Sequence, residues 1–141
     1  MLVSQSTLKQ PLVDTFSYIT SPSHAWIVDL CLGDAVCAYV DLRAVSSISN
    51  LRKLEIGYFR QQLQLPLDDR ILKGWASQAV AGSAFQLLET IIVFGARGLS
   101  RDSFHCLNDF PALECFLAYR TTLKHEDEKY ARQHRWTINR K

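Results

Sequence analysis

The sequence predicts an α/β chain, a short solenoid with parallel strands on one face and helices on the other, and three observations predict it. A segment of the form apolar-x-x-apolar-x-apolar recurs as Leu51–Ile56, Leu88–Val93 and Leu113–Ala118, with a weaker copy at Ala25–Leu30. The copies begin at 25, 51, 88 and 113, so they stand 26, 37 and 25 residues apart. Ahead of three of the copies, apolar residues recur at every third position. A unit of this kind cannot bury its own apolar side, so its repetition calls for stacking against the next unit.

Along the chain, Phe16, Ile19 and Pro22 precede the first copy, Leu42, Val45 and Ile48 the second, and Phe104, Leu107 and Phe110 the last. A spacing of three gathers side chains on one side of a short helix or 3₁₀ turn. Each following segment alternates as a strand does, which turns its second, third and fifth positions away from the interior. The 37-residue interval holds a helical insertion near 68–82. There Asp68 is a suitable N-cap, Leu67 and Leu72 are placed to staple across it, Trp75 and Ala79 continue the helix, and Gly82 stops it. The same start recurs at Ser100, with Leu99 and Phe104 as the staple.

Composition changes at the C-terminus, which divides the chain into a repeat domain of about four coils over 1–123 and a helical cap or tail over 124–141. Lys124–Glu128 and Glu128–Arg132 are i,i+4 partners, and Trp136 and Ile138 follow. Arg132, Arg135, Arg140 and Lys141 invite comparison with a basic nucleic-acid arm. The acidic run His125-Glu-Asp-Glu before them argues against it.

The three segments Leu51–Ile56, Leu88–Val93 and Leu113–Ala118, with the helices ahead of them, resemble the leucine-rich-repeat family. The likeness runs from Phe16 to Leu123. The stretch from Trp75 to Tyr119 is particularly similar to repeat proteins some of which carry an F-box elsewhere. The resemblance implies a noncatalytic recognition module, as in a ubiquitin-ligase adaptor, although no F-box segment occurs in these 141 residues. Where that family places Asn or Cys to bond the turn between coils, this chain has Gly33, Phe59, Ala96 and Thr121. Irregular loops are expected along that edge.

Composition narrows the function classes. A hydrophobic share of 48% with 21% charged residues belongs to a globular chain, and a net charge of +2 is too small to demand nucleic acid or a membrane. Asp29 and Asp34 interrupt the most apolar stretch, which excludes it as a membrane span. Cys31, Cys37, Cys106 and Cys115 all sit in apolar runs, so four buried, reduced thiols in the cytoplasm or nucleus are expected. No nucleophile elbow, phosphate loop or dinucleotide fingerprint occurs. Neither His125 nor the Cys31–Cys37 pair has zinc-ligand spacing, and no cofactor or metal is expected. Asp68 and Asp69 are explained by helix capping without acid–base chemistry.

The outward strand positions form the candidate site: Trp26, Arg52, Glu55, Glu89, Phe94 and Tyr119. Stacking places Trp26, Arg52, Glu89 and Glu114 in one column and Asp29, Glu55, Ile92 and Leu117 in another. Trp26 beside Arg52 permits a cation–π contact, and Arg52 beside Glu89 an ion pair. Aromatic residues and Arg dominate interface energetics, so the expected function is noncatalytic protein–protein interaction with a protein partner. The alternative is a small enzyme or ligand-binding protein using the Phe94–Leu99 turn, where Gly95 and Gly98 lie between a strand and a helix. A third reading is a remnant of a longer repeat array.

Overall fold

A computed structural model describes residues 5–21, 26–33, 37, 40–57, 65–121, 123–134 and 136–139. Its principal feature is a five-stranded sheet of β1 (Asp29–Leu32), β2 (Lys53–Ile56), β4 (Thr90–Phe94), β6 (Cys115–Tyr119) and β7 (Thr137–Asn139). These strands lie side by side in chain order, and every neighbouring pair is parallel. The short strands β3 (Leu65–Asp68) and β5 (Ala96–Gly98) form a second, two-stranded parallel ladder. Helices α1 (Gln5–Ile19), α2 (Asp69–Val80), α3 (Arg101–Cys106) and α4 (His125–Gln133), with 3₁₀ turns at Leu42–Ser47 and Leu107–Asp109, complete the α/β architecture.

The period-three and period-two patterns explain which side chains go inside. In the second, third and fourth copies, the first, fourth and sixth positions are all buried: Leu51, Leu54 and Ile56, then Leu88, Ile91 and Val93, then Leu113, Phe116 and Ala118. Leu42, Val45 and Ile48 are buried with them, as are Phe104, Leu107 and Phe110. One continuous core results, extending from Phe16 to Ile138. Neighbouring units also repeat a backbone contact. The carbonyl of Val28 accepts from Arg52 and Lys53, that of Arg52 from Glu89 and Thr90, and that of Glu89 from Glu114 and Cys115, all at 2.8–3.1 Å.

The first strand departs from its expected bounds. Leu30 pairs with Leu54 and Leu32 with Ile56, so the copy is Ile27-x-x-Leu30-x-Leu32, shifted two residues from Ala25–Leu30. A two-residue slip keeps every side chain on its own face, and it buries Leu32 while leaving Val28 outside. The preceding Phe16 and Ile19 belong to the 15-residue helix α1, not to a short turn; Pro22 lies outside the described residues.

The insertion forms as its residues require. Asp68 accepts the Ile71 N–H at 3.0 Å, and Leu67 and Leu72 on either side of this cap are fully buried. At the other end Gly82 takes φ +77°, donating to the Ala79 carbonyl while Ser83 donates to that of Gln78. This paired closure of a helix C-terminus needs a left-handed residue. Ser100 caps α3 by accepting the Asp102 N–H at 3.3 Å. Asp69 joins the two helix starts: it accepts from the Ser100 N–H at 3.0 Å and hydroxyl at 2.6 Å, and from the Ser103 hydroxyl.

Strand β7 and the β3–β5 ladder were not expected. In β7, Ile138 pairs with Ala118, and the preceding Trp136 is buried, donating its Nε1–H to the Phe104 carbonyl at 3.2 Å. Trp136-x-Ile138 repeats the fourth and sixth positions of the pattern, but exposed Gln133 stands in the first, which hid the copy. Among the predicted partners in α4, Glu128 and Arg132 form an ion pair at 3.0 Å. Arg135, Arg140 and Lys141 lie outside the described residues.

Candidate protein-binding surface

The outward face of the sheet is built from strand positions that alternate with the core. Register aligns Asp29, Lys53, Thr90 and Cys115 in one row, and Cys31, Glu55, Ile92, Leu117 and Thr137 in the next. Phe94 and Tyr119 form a third row toward the strands' C-terminal ends. On the opposite rim, Arg52, Glu89 and Glu114 are exposed and follow one another through the shared backbone contacts.

The six predicted residues are thus brought together in part. Phe94 and Tyr119 are cross-strand partners whose rings stack at 5.0 Å between centroids, 13° from parallel. Arg52 and Glu89 are neighbours on the rim, but neither enters an ion pair among the described residues. Glu55 sits beside Cys31 on one side and Ile92 on the other; Asp29, expected in its column, stands beside Lys53. Trp26 is 73% exposed but lies off the row, because the shifted register puts Val28 next to Arg52. The expected Trp26–Arg52 pairing is corrected accordingly.

The cysteines divide. All four are free; Cys37 is buried and Cys106 and Cys115 are half-buried, but Cys31 is exposed on the outward face. An apolar run does not bury every member, since alternation sends Leu30 and Leu32 inward and Cys31 outward. Burial, then the charges of Glu55 and Asp29, push the Cys31 thiol up. Burial and the nearby Asp109 do the same for Cys106, the opposite of what an activated nucleophile requires. His105, adjacent in sequence, places its Nδ1 3.1 Å from the Tyr130 hydroxyl instead.

The Phe94–Leu99 turn is occupied by packing of the chain on itself. Ala96–Gly98 pairs with β3, and a Cβ at Gly98 would fall 2.7 Å from that of Asp68, so the bare Cα serves close strand approach. An open groove of about 440 Å³ follows α4, lined by His125, Glu128, Lys129, Arg132 and Gln133, the side chains of a solvated helix face. Among the described residues no group of three or more His, Cys, Asp or Glu could hold a metal, and no helix is long and apolar enough to cross a membrane. Trp75 and Trp136 are both 1% exposed and serve the core, so neither anchors a partner.

In comparisons with known proteins, no protein-family model matches the chain, and no curated protein or solved structure matches it.

Proposed function

We propose that this chain is a noncatalytic protein-interaction module, a short leucine-rich-repeat-like solenoid whose outward sheet face binds a protein partner. The observation that carries the reading is the outward face itself. Five parallel strands in register present an aromatic stack at one end and, at the other, charges that are unpaired among the described residues. Order of the strands supports the solenoid part, as does packing of each helical element against the next: Leu42–Ser47 on α2, α2 on α3, and α3 on α4. A recognition role in a larger assembly, such as a ubiquitin-ligase adaptor, and a cytoplasmic or nuclear location belong to the same reading; four free cysteines fit it.

The test is capture of a partner from native extract by the wild-type chain and by Arg52→Ala, Glu89→Ala and Tyr119→Ala, with thermal melting of each. The reading expects the partner to be lost while the variants remain folded. Full retention by all three variants places the binding surface elsewhere.

A further inference from the structure

From the β4–β6 half of this face we infer the chemistry of the partner: an extended segment with Lys or Arg at one end and an apolar side chain at the other. The inference rests on the proposed binding role of the sheet face. Strands β4 and β6, with the residue just ahead of each, bring four matched pairs side by side. They are Glu89 with Glu114, Thr90 with Cys115, Ile92 with Leu117, and Phe94 with Tyr119. Each pair presents one chemistry across both strands, so the stripe passes from acidic through small polar and aliphatic to aromatic.

Charge decides the sign of the partner. Among the described residues the outward face holds four carboxylates, Asp29, Glu55, Glu89 and Glu114, against Arg52 and Lys53, whereas the whole chain is +2. On the helical side Asp41, Asp68, Asp102, Asp127 and Glu128 each have a basic partner, whereas Asp14, Asp69, Asp109 and Glu126 have none among the described residues. Glu89 and Glu114 have none among the described residues, although they stand on adjacent strands where like charges repel. A cation from the partner relieves that repulsion, and the half-buried Ile92, Leu117, Phe94 and Tyr119 provide apolar contact farther along. From residue 89 to residue 94 the chain advances about 16 Å, and side chains of an extended segment share a face only at even spacing, so the cation and the apolar group should be about four or six residues apart.

The experiment measures fluorescence anisotropy of two labelled, extended peptides with the full chain. One carries Arg with Leu at both about four and about six residues from it, and the other replaces that Arg with Glu. The expected result is saturable binding of the Arg peptide, roughly tenfold tighter than the Glu peptide and weakened by added salt. The double variant Glu89→Lys with Glu114→Lys should reverse the preference. If it melts early, Glu89→Gln with Glu114→Gln should abolish the preference without reversing it. Equal affinity for both peptides, no saturable binding of the Arg peptide by about 1 mM, or an unchanged preference in the double variant overturns the inference. The extract experiment separates the two levels: loss of the captured partner in the face variants with no peptide preference leaves the face standing and removes the basic segment. Retention of the partner removes both.

Discussion

At the scale of single residues, the alternation that exposes Cys31 makes it a reporter for the outward face. Its thiol is raised by burial and by Glu55 and Asp29, so the reactive thiolate is scarce near neutral pH and grows as pH climbs above the ordinary thiol range. A thiol reagent should therefore label Cys31 slowly at neutral pH and faster with rising pH, while buried Cys37 stays protected. Glu55→Gln removes a negative charge that disfavours the thiolate, so it should speed Cys31 labelling at neutral pH; an unchanged rate would show that Glu55 does not act on the thiol. Core positions give a second contrast. Leu54→Ala and Ile91→Ala, both fully buried, should each cost about 2–5 kcal/mol in chemical denaturation, whereas exposed Arg52→Ala and Glu89→Ala should stay within about 0.5 kcal/mol. Tyr119→Ala should fall between them at about 1 kcal/mol, because its ring stacks on Phe94. Inward positions were legible in the sequence since alternation alone assigns them. Pairing across strands was less so: Cys31 was grouped with its apolar neighbours, and Trp26 was placed beside Arg52 by a register that the chain satisfies equally well two residues along.

Individual elements show why capping residues read so directly. Asp68, Gly82 and Ser100 act on backbone groups within a few positions of themselves, and their roles follow from local spacing. Asp69 does not, because its partners Ser100 and Ser103 lie more than thirty residues away in sequence. It is the polar link between the first turns of α2 and α3. Asp69→Ala leaves the buried Ser103 hydroxyl without this acceptor and should cost about 2–3 kcal/mol. Asp68→Ala, which removes a single cap, should cost about 1 kcal/mol. Urea denaturation of both variants checks the order, and a smaller loss for Asp69→Ala would show that the inter-helix link contributes little. The same distinction between local and distant partners explains the missed strands. β3 and β5 are short, pair with each other across some thirty residues, and have no long alternating pattern. β7 keeps Trp136 and Ile138 but lacks an apolar residue at 133, so its membership in the sheet comes from its contacts with β6 and α3.

For the whole molecule, the order of elements sets how a lesion should spread. Each main strand pairs with its sequence neighbours in the sheet, and each helical element from Leu42–Ser47 onward packs on the next. On the proposed solenoid reading, stability is close to a sum of unit terms and nearest-neighbour interfaces, so damage at an end should fray that end, while damage at the centre should weaken both sides. Trp136 and Ile91 provide the comparison. Trp136 packs edge-on against Phe116, bonds Phe104, and holds the last unit, α4 and β7, to the one before it. Ile91 lies in the central strand β4 between β2 and β6. Hydrogen exchange resolved by strand should show Trp136→Ala losing protection in α4 and β7 while β2 and β4 remain near their original rates. Ile91→Ala should instead lower protection from β2 through β6 together. Uniform loss across all five strands in Trp136→Ala would mean that the core from Phe16 to Ile138 opens only as one body, which counts against the proposed solenoid reading.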